Sequence, residues 1–337
     1  MRAPYRVVVA AFALAFGLSG CIGSEQEPTS PQTPGSFASL VTPGTPRWRA
    51  LAEAPEPRQE VAAALLDGKV YVVGGLTASG ATNRVDIYDV AADTWADGPP
   101  LPVALHHAMA AAFGGAIVVI GGFDAQSRPV DSVFRLSGGA WVEDRPLRRP
   151  RAAGAAIVEG SRLFVLGGQG AGSLVAPVEE LVAGTWVDRA AIPTPRHHVA
   201  AASDGTWIYV SGGRTPAGGS GPDRNVAAFE RFNIAENRWV QAPPVPTARS
   251  GHGSGFIDGS VIVTGGEDPA AGSGQPSIAS TERYDPAKGV WLKDLPGMFR
   301  ARHGVGAVTI EGKLYLFLGG SRVALAPTAD SDVFVIP

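Results

Sequence analysis

A short apolar segment that runs into a double glycine occurs six times in this chain of 337 residues. The first copy spans Val70 to Gly75, and the glycine pairs begin at Gly74, Gly121, Gly167, Gly212, Gly265 and Gly319. The spacings of 47, 46, 45, 53 and 54 residues are typical of a repeat architecture. The residues before each pair are mostly β-branched or aromatic and too few for a buried helix, so they predict buried strands.

Six tryptophans recur with the same period as the glycine pairs. Each precedes its pair by 26 residues in the first five units and by 28 in the last, at Trp48, Trp95, Trp141, Trp186, Trp239 and Trp291. Turn dipeptides such as Asp67-Gly68 precede the apolar strands, and such pairs supply the positive φ angles of tight hairpins. Each unit is therefore predicted to open with an antiparallel hairpin, whose first strand is small and apolar, as suits a crowded central axis.

The remainder of each unit predicts two more strands. A polar loop follows the glycine pair, then a strand such as Arg84 to Asp89, a turn, and a strand that contains the tryptophan. Four strands per unit make one propeller blade. The order Gly-Gly, Tyr-Asp and Trp over about 50 residues resembles the kelch motif, and kelch propellers include the central domain of galactose oxidase. The resemblance runs from Trp48 to the C-terminus and implies an all-β, six-bladed kelch-type β-propeller with four antiparallel strands per blade.

The two ends of the repeat region complement each other. The segment Asp332 to Pro337 is a third strand with no fourth strand after it, whereas Trp48 lies on a fourth strand with no blade before it. We expect the Trp48 strand to complete the last blade, since this closes the ring and removes two free sheet edges. A WD-repeat propeller is the alternative, but no Gly-His and Trp-Asp pair recurs in the required phase.

The N-terminus has the pattern of an export signal. Arg2 and Arg6 flank a short basic region, the apolar run from Val7 to Phe16 is too short to span a bilayer, and a small-residue segment ends at Cys21. Leu18 to Cys21 resembles the bacterial lipobox, which implies cleavage before Cys21 and lipidation of its thiol. An ordinary signal peptide with an incidental cysteine is the alternative. The absence of aspartate at Ile22 implies, by the same resemblance, an outer-membrane location, on the periplasmic face or the cell surface.

Residues 21–45 are predicted to be a disordered tether, because four prolines lie among Ser, Thr, Gln and Glu with little to bury. The predicted organisation is thus a signal peptide over 1–20, a lipidated tether over 21–45 and the propeller over 46–337. The formal net charge of −3 gives no basis for nucleic-acid binding. We expect a monomer attached to the membrane through its lipid.

Arginines and histidines share one segment of the repeat. Arginine lies sixteen residues before the glycine pair at Arg58, Arg151, Arg196 and Arg249 and seventeen before it at Arg302, while Leu105 breaks the series. All six histidines follow directly, at His106, His107, His197, His198, His252 and His303. One interpretation is a ligand-binding mouth for carboxylates or other anions. The other is that these residues belong to the repeat and bond neighbouring blades.

Metal and cofactor sites are not predicted. Imidazole is a common metal ligand, but no acidic residue recurs beside the histidines in the sequence. A copper site with a tyrosine–cysteine cross-link, as in kelch-like oxidases, is excluded because Cys21 in the signal region is the one cysteine of the chain. No catalytic residues are predicted.

Two long loops interrupt the regular spacing. The extra residues of the fourth and fifth units fall in 214–225 and 267–277, with Arg214, Asp223, Arg224, Glu267 and Asp268 as polar groups. Long loops on a rigid scaffold often carry binding, although tolerated insertions would look the same.

The fold alone does not define the activity. The main hypothesis is a lipid-anchored, non-enzymatic module that binds a protein or glycan at the cell envelope. The alternative is a sugar-processing enzyme, since some six-bladed kelch-like proteins of the bacterial periplasm act on sialic acid as mutarotases. A compact mouth with converging Arg, His and Glu would favour the enzyme, and a broad, flat mouth would favour binding. A third alternative is one component of a larger surface system.

Overall fold

The structure is a computed structural model that describes residues 44–217 and 223–337. These residues belong to one compact unit, Thr42–Pro337. The predicted signal peptide, Cys21 and nearly all of the predicted tether lie outside the described residues. Within the part of the chain that is described, no helix has the length and apolar character needed to cross a membrane.

Six four-stranded antiparallel sheets make up the unit, one sheet per sequence repeat. Blades 1 to 3 comprise Ala62–Leu66, Lys69–Val73, Val85–Asp89 and Thr94–Asp97; Met109–Phe113, Ala116–Ile120, Val133–Ser137 and Ala140–Asp144; and Ala155–Glu159, Arg162–Leu166, Pro177–Val182 and Thr185–Ala191. Blades 4 to 6 comprise Ala200–Ser203, Trp207–Ser211, Phe229–Asn233 and Arg238–Gln241; Gly253–Ile257, Ser260–Thr264, Thr281–Asp285 and Val290–Leu292; and Gly306–Ile310, Lys313–Gly320, Pro327–Val335 and Arg47–Ala50. The predicted six-bladed propeller is confirmed.

The ring closes as the ends of the repeat region predicted. Arg47–Ala50 pairs antiparallel with Pro327–Val335, and Trp48 lies opposite Phe334. Blade 6 is therefore assembled from both ends of the propeller, and Pro327–Val335 has a paired strand on each side.

The hydrophobic core lies between the blades. The described residues form six buried apolar clusters, and each one joins two neighbouring sheets. The cluster between blades 1 and 6, for example, packs Val70, Val72 and Tyr88 against Tyr315 and Phe317. Each apolar strand is thus buried on both faces, which explains why its residues form an uninterrupted hydrophobic run.

The repeated tryptophans link consecutive blades. Each indole N–H donates to a backbone carbonyl at the end of the fourth strand of the preceding blade or just after it, at 2.7 to 3.2 Å: Trp48 to Pro296, Trp95 to Ala52, Trp141 to Pro99, Trp186 to Arg145, Trp239 to Ala190 and Trp291 to Pro243. The tryptophan of each repeat therefore satisfies its polar atom while its ring covers apolar surface between blades.

The first strands line a central channel between two faces, which we call the hairpin face and the loop face. The hairpin face carries the turns between first and second strands, and the loop face carries the connections from second to third strands and from one blade to the next. Toward the hairpin face the channel opens into a cavity of about 480 Å³, lined largely by alanine, as at Ala63, Ala110 and Ala201. The small first strands are confirmed as the walls of the channel.

Two small hairpins and one short helix extend the loop face. Leu76–Thr77 pairs with Gly80–Ala81 after blade 1's second strand, and Arg214–Thr215 pairs with Arg224–Asn225 at the corresponding place in blade 4. Pro269–Ala271 forms one turn of 3₁₀ helix in the long loop of blade 5. Both loops that the sequence singled out therefore contain regular structure.

Candidate functional site at the loop-face mouth

The five repeated arginines lie inside the blades. Their side chains have no exposed surface, and each pairs with a carboxylate on the third strand of the same blade: Arg58 with Asp86, Arg151 with Glu179, Arg196 with Glu230, Arg249 with Glu282 and Arg302 with Asp332. Burial lowers the pKa of all five arginines, and the partner carboxylates oppose that shift.

The spacing of sixteen residues follows from one hydrogen bond. Each guanidinium donates to the carbonyl of the residue sixteen places later, which is the first glycine of the pair at Gly74, Gly167, Gly212 and Gly265. Arg302 donates to Leu318 O at 2.9 Å, and Leu318 has the left-handed φ of 56° that the first glycine has elsewhere. In blade 6 the pair equivalent to the double glycine is therefore Leu318-Gly319. The arginine of that blade thus lies sixteen residues before its pair, as in the other blades, and not seventeen.

Blade 2 replaces both partners at once. Leu105 stands where the other blades have arginine, and Phe134 occupies the third-strand position of the carboxylates. Both side chains are buried in one apolar cluster. This exchange indicates that the arginine–carboxylate pair belongs to the blade interior. The structure therefore places Arg58, Arg151, Arg196, Arg249 and Arg302 away from the channel. They belong to the repeat, as the second interpretation holds, but each bonds within its own blade and not to a neighbouring blade.

Two residues after each arginine position, the chain forms a ring around the loop-face end of the channel. The six residues all have φ between 53° and 62°: Glu60, His107, Ala153, His198, Gly251 and Gly304. Each backbone N–H donates to the carbonyl of the ring residue in the preceding blade, at 2.6 to 3.0 Å, and the N–H of Glu60 bonds to Gly304. Six hydrogen bonds thus join all six blades at the mouth.

The side chains of this ring are not alike. Gly251 and Gly304 in adjacent blades, and Ala153 between the two histidines, bring no functional group to the mouth. Glu60, His107 and His198 bring a carboxyl and two imidazoles together. A cavity of about 80 Å³ lies among these residues. Together with Arg214, Glu267 and His303, which contact them, Glu60, His107 and His198 form what we call the mouth cluster.

A chain of hydrogen bonds runs from Arg214 to Asp223 through two histidines. Arg214 Nη2 donates to His198 Nε2 at 2.6 Å, so the proton of the neutral His198 lies on Nδ1 and is donated to His197 Nδ1 at 2.5 Å. His197 Nε2 then donates to Asp223 Oδ2 at 3.0 Å. Burial, followed by the charge of Arg214, lowers the pKa of His197 to about 4 and that of His198 far below its usual range, so both rings are neutral at pH 7.

A second histidine pair ends on Glu60. His106 Nδ1 and His107 Nδ1 lie 2.6 Å apart, and His107 Nε2 lies 3.1 Å from Glu60 Oε2. Burial and then the nearby charge of Glu267 raise the pKa of Glu60 to about 8, while burial lowers the pKa of His107. At neutral pH the Glu60 carboxyl therefore holds a proton and can donate it to His107 Nε2.

Glu267 and His303 complete the mouth cluster from blades 5 and 6. Arg214 Nη1 donates to Glu267 Oε1 at 2.8 Å, and His303 Nε2 lies 3.5 Å from Glu267 Oε2 and 3.7 Å from Glu60 Oε1. No acidic residue recurs beside the histidines along the chain. The fold nevertheless places acids beside them, because Glu60 and Glu267 reach the mouth from different blades, and the argument against metal ligation is corrected accordingly.

The two long loops are joined to neighbouring structure. Asn225 Nδ2 donates to Glu267 O at 2.7 Å, and the backbone of 267–277 bonds to the loop 321–326 through Gly274 N–H to Val323 O and Val323 N–H to Gln275 O. We call the paired segments 267–277 and 321–326 the ridge. Of the polar residues predicted for these loops, Arg214 and Glu267 are largely buried and bound to each other, whereas Arg224 is exposed and Asp223 and Asp268 are partly exposed.

His252 lies apart from the mouth cluster. It lines the same cavity, but its Nε2 pairs with Ser211 Oγ at 2.8 Å and its buried Nδ1 has no hydrogen-bond partner among the described residues. Sequence reasoning missed Glu60, Gln59 and Ser277. The signal for Glu60 was present, since it occupies the ring position at which two other repeats have histidine.

The repeat, the blade topology and the mouth together define a kelch-type β-propeller. The profile of the Kelch motif matches residues 57–102, 195–246 and 248–293, so the predicted kelch repeats are confirmed. A solved structure entitled "Structure of YjhT" superposes with a TM-score of 0.72 at 16% identity, covering 83% of this chain and 95% of that one. This likeness supports the fold alone.

Several curated proteins are similar in sequence. The chain is 28% identical to Kelch-like protein terF of Aspergillus terreus over 78% of its own length and 61% of the relative's. It is 32% identical to Kelch repeat protein M-T8 of Myxoma virus over 36% of its length and 24% of the relative's, and 32% identical to human Kelch-like protein 25 over 32% and 18%. The chain thus spans less than two thirds of these proteins.

Proposed function

We propose that this kelch propeller is a binding module that holds a protein or glycan partner over its loop face. The supporting observation is the ridge. Its segments are held together by backbone hydrogen bonds, and it presents Leu325, which is 52% exposed, and the exposed Arg322 beside the mouth. A surface held by backbone hydrogen bonds is suited to binding, arginine is among the residues that carry most of the energy of protein interfaces, and the exposed leucine adds apolar contact area. Kelch relatives are consistent with a protein-binding role.

Site-specific photo-crosslinking tests this proposal. A photoreactive phenylalanine analogue at Leu325 is compared with the same analogue at Asp258, an exposed turn residue of the hairpin face. We expect a discrete crosslinked product from position 325 in intact producing cells, lost on Arg322→Glu, and none from position 258. Identical products from both faces, or none from position 325, would contradict a loop-face partner.

We further propose that Cys21 anchors the protein by its lipid to the bacterial cell envelope, with the outer membrane as its location. The lipobox-like segment and the short apolar run before it support this proposal. More than one acyl chain would give stable attachment. Metabolic labelling with an alkyne fatty acid should mark the wild-type chain and leave Cys21→Ser unmarked; equal labelling of both would refute the anchor.

The mouth cluster favours a sugar-processing enzyme as the second candidate, because Arg214, Glu60, Glu267 and three histidines converge there. Two observations oppose it. The cavity of about 80 Å³ is smaller than the few hundred Å³ of ordinary ligand pockets, and Arg214 is already engaged by Glu267 and His198. NMR measurement of sialic acid anomerisation decides the matter. Acceleration that disappears in Glu60→Gln would establish the enzyme, and an unchanged rate would exclude this reaction.

A further inference from the structure

Three hydrogen-bond acceptors face one another at the mouth. Glu60 Oε1, Glu267 Oε2 and His303 Nε2 come from blades 1, 5 and 6, and the ligand atoms of the three residues all lie within 4.8 Å of one another. All three side chains are more than nine-tenths buried. Buried acceptors that approach this closely repel one another unless a cation or a proton lies between them.

The tautomer of His303 is set by its neighbours. Ser277 Oγ lies 2.8 Å from Gly320 O, which can only accept, so the Ser277 hydroxyl donates to it. Ser277 Oγ therefore accepts from His303 Nδ1, 3.2 Å away. The lone pair of His303 is consequently on Nε2, directed toward the two carboxylates, and the one donor that the described residues offer to it is the Gln59 amide at 3.3 Å.

The charges at this point favour a cation. Glu60 and Glu267 share one guanidinium, that of Arg214, which binds Glu267 Oε1 and leaves Oε2 toward His303. The other carboxylate oxygen of Glu60 faces His107. A metal ion that binds here displaces the proton of Glu60, and Glu60, Glu267 and Arg214 then carry a net charge of −1, because the imidazoles are neutral.

The separations also match a shared ion. Ligand atoms about 2.1 Å from one ion lie roughly 3.0 to 4.2 Å apart, and His303 Nε2 is 3.5 Å from Glu267 and 3.7 Å from Glu60. Each ligand is oriented by a further contact, as metal ligands commonly are: Ser277 on His303, Arg214 on Glu267 and His107 on Glu60.

We propose that Glu60, Glu267 and His303 bind one divalent transition-metal ion at the loop-face mouth. One imidazole with two carboxylates suits Zn²⁺ or Mn²⁺. The adjoining cavity of about 80 Å³ has room for water molecules that complete the coordination. This site goes beyond the proposed binding of a partner and does not depend on it.

A neighbouring group, Glu60, His107 and His198, also brings three ligand atoms within 4.8 Å. It is less suited to an ion, because the cationic Arg214 donates to His198 Nε2 at 2.6 Å and occupies its lone pair. The two arrangements share Glu60 and differ in the number of imidazole ligands, so experiment can separate them.

The first test is metal titration of the full, untagged chain, purified in detergent and stripped with a chelator. Isothermal titration with Zn²⁺ and with Mn²⁺ should give one ion per chain for at least one of them. Glu267→Gln and His303→Gln should each weaken binding at least tenfold, while His252→Gln, a buried histidine outside the three ligands, should leave it within about twofold. Near-ultraviolet circular dichroism verifies that each variant is folded.

A spectroscopic test on the wild-type chain avoids dependence on variants. Cu²⁺ binds strongly to nitrogen and oxygen sites, and its electron paramagnetic resonance spectrum reports the bound nitrogens. One coordinated nitrogen is expected for Glu60, Glu267 and His303. Two nitrogens, or binding that His107→Gln abolishes and His303→Gln does not, would overturn the proposed ligand set. Failure of the folded wild-type chain to bind Zn²⁺ or Mn²⁺ at about 1 mM would overturn the site.

Discussion

The arginine positions and the ring positions two residues later differ in what their repetition means. Arginine is present in five of six blades, and each one is buried against a carboxylate of its own blade. The ring positions share one backbone conformation, yet their side chains range from Gly251 to His198 and Glu60. Repetition of a side chain thus marks blade packing in this protein, whereas a shared backbone with varied side chains marks the mouth.

The strongest test of this contrast removes one buried arginine. Arg196→Ala leaves the buried Glu230 without its cation and removes bonds to Gly212 O and Val210 O. Loss of one partner of a buried ion pair costs about 3 to 5 kcal/mol, and we expect a loss of this size in the free energy of unfolding. Urea denaturation measures it.

Blade 2 provides the matched control for that variant. The double change Arg196→Leu with Glu230→Phe copies Leu105 and Phe134 and removes both charges together. We expect it to recover a large part of the stability lost by Arg196→Ala, since apolar replacement of a buried pair is often close to neutral. An Arg196→Ala chain that unfolds within about 1 kcal/mol of wild type would show that the pairs are not structural.

Acidification should act next most strongly, through the buried histidines. Burial, then the charges of Arg249 and Arg196, hold the pKa of His252 well below its usual value. The unfolded chain therefore takes up a proton near pH 6.5 that the folded chain does not. The contribution of His252 to the free energy of unfolding is thus fully present above pH 6.5 and falls as the pH is lowered. Each such histidine contributes up to about 1.4 kcal/mol per pH unit.

The measurement is urea denaturation at several pH values between 7 and 5. His252→Gln should take up about one proton fewer on unfolding than the wild type. Its free energy of unfolding should therefore fall by about 2 kcal/mol less than that of the wild type over this range. An equal slope in both chains would mean that His252 is protonated in the folded state.

The smallest effect is expected for a ring side chain. His198→Ala keeps the backbone hydrogen bond and places alanine where blade 3 already has Ala153, with φ of 55° and 54°. The side-chain bonds to Arg214 and His197 are lost, but water in the adjoining cavity can replace them, so we expect the free energy of unfolding to fall by about 1 kcal/mol. Gly304→Ala is the opposing control, because its Cβ would lie 2.8 Å from the Glu60 backbone nitrogen. In thermal unfolding, His198→Ala should lower the melting temperature less than Gly304→Ala does.

The fold was predictable because its signals are local and repeated. The strand before Gly74-Gly75 is apolar on both faces, the turn at Asp67-Gly68 needs positive φ, and Trp48 had no sheet of its own except at the end of the ring. Glycine is required at Gly74 because the connection from blade 1 to blade 2 passes directly over it, and a Cβ there would lie 2.3 Å from Leu105 O.

The mouth was only partly predictable. His198, His303, Arg214 and Glu267 were singled out by position or by loop length, but nothing in the sequence related them to one another or to Glu60. Their meeting depends on the radius of the ring and on the order of blades around it. The arginines left two interpretations open for the same reason, because the carboxylate partner of each one lies on a later strand, as Glu230 lies 34 residues after Arg196.

The sequence by itself determined the number of blades, the strands within each and the closure by the Trp48 strand, since these follow from periodic burial and turn chemistry. Only the tertiary structure decided which charged groups face water and which face each other. It placed Arg196 against Glu230 inside a blade and brought Glu60, Glu267 and His303 to one point of the mouth. The physical reason is that burial and charge pairing arise between blades and between strands, across distances that local pattern does not encode.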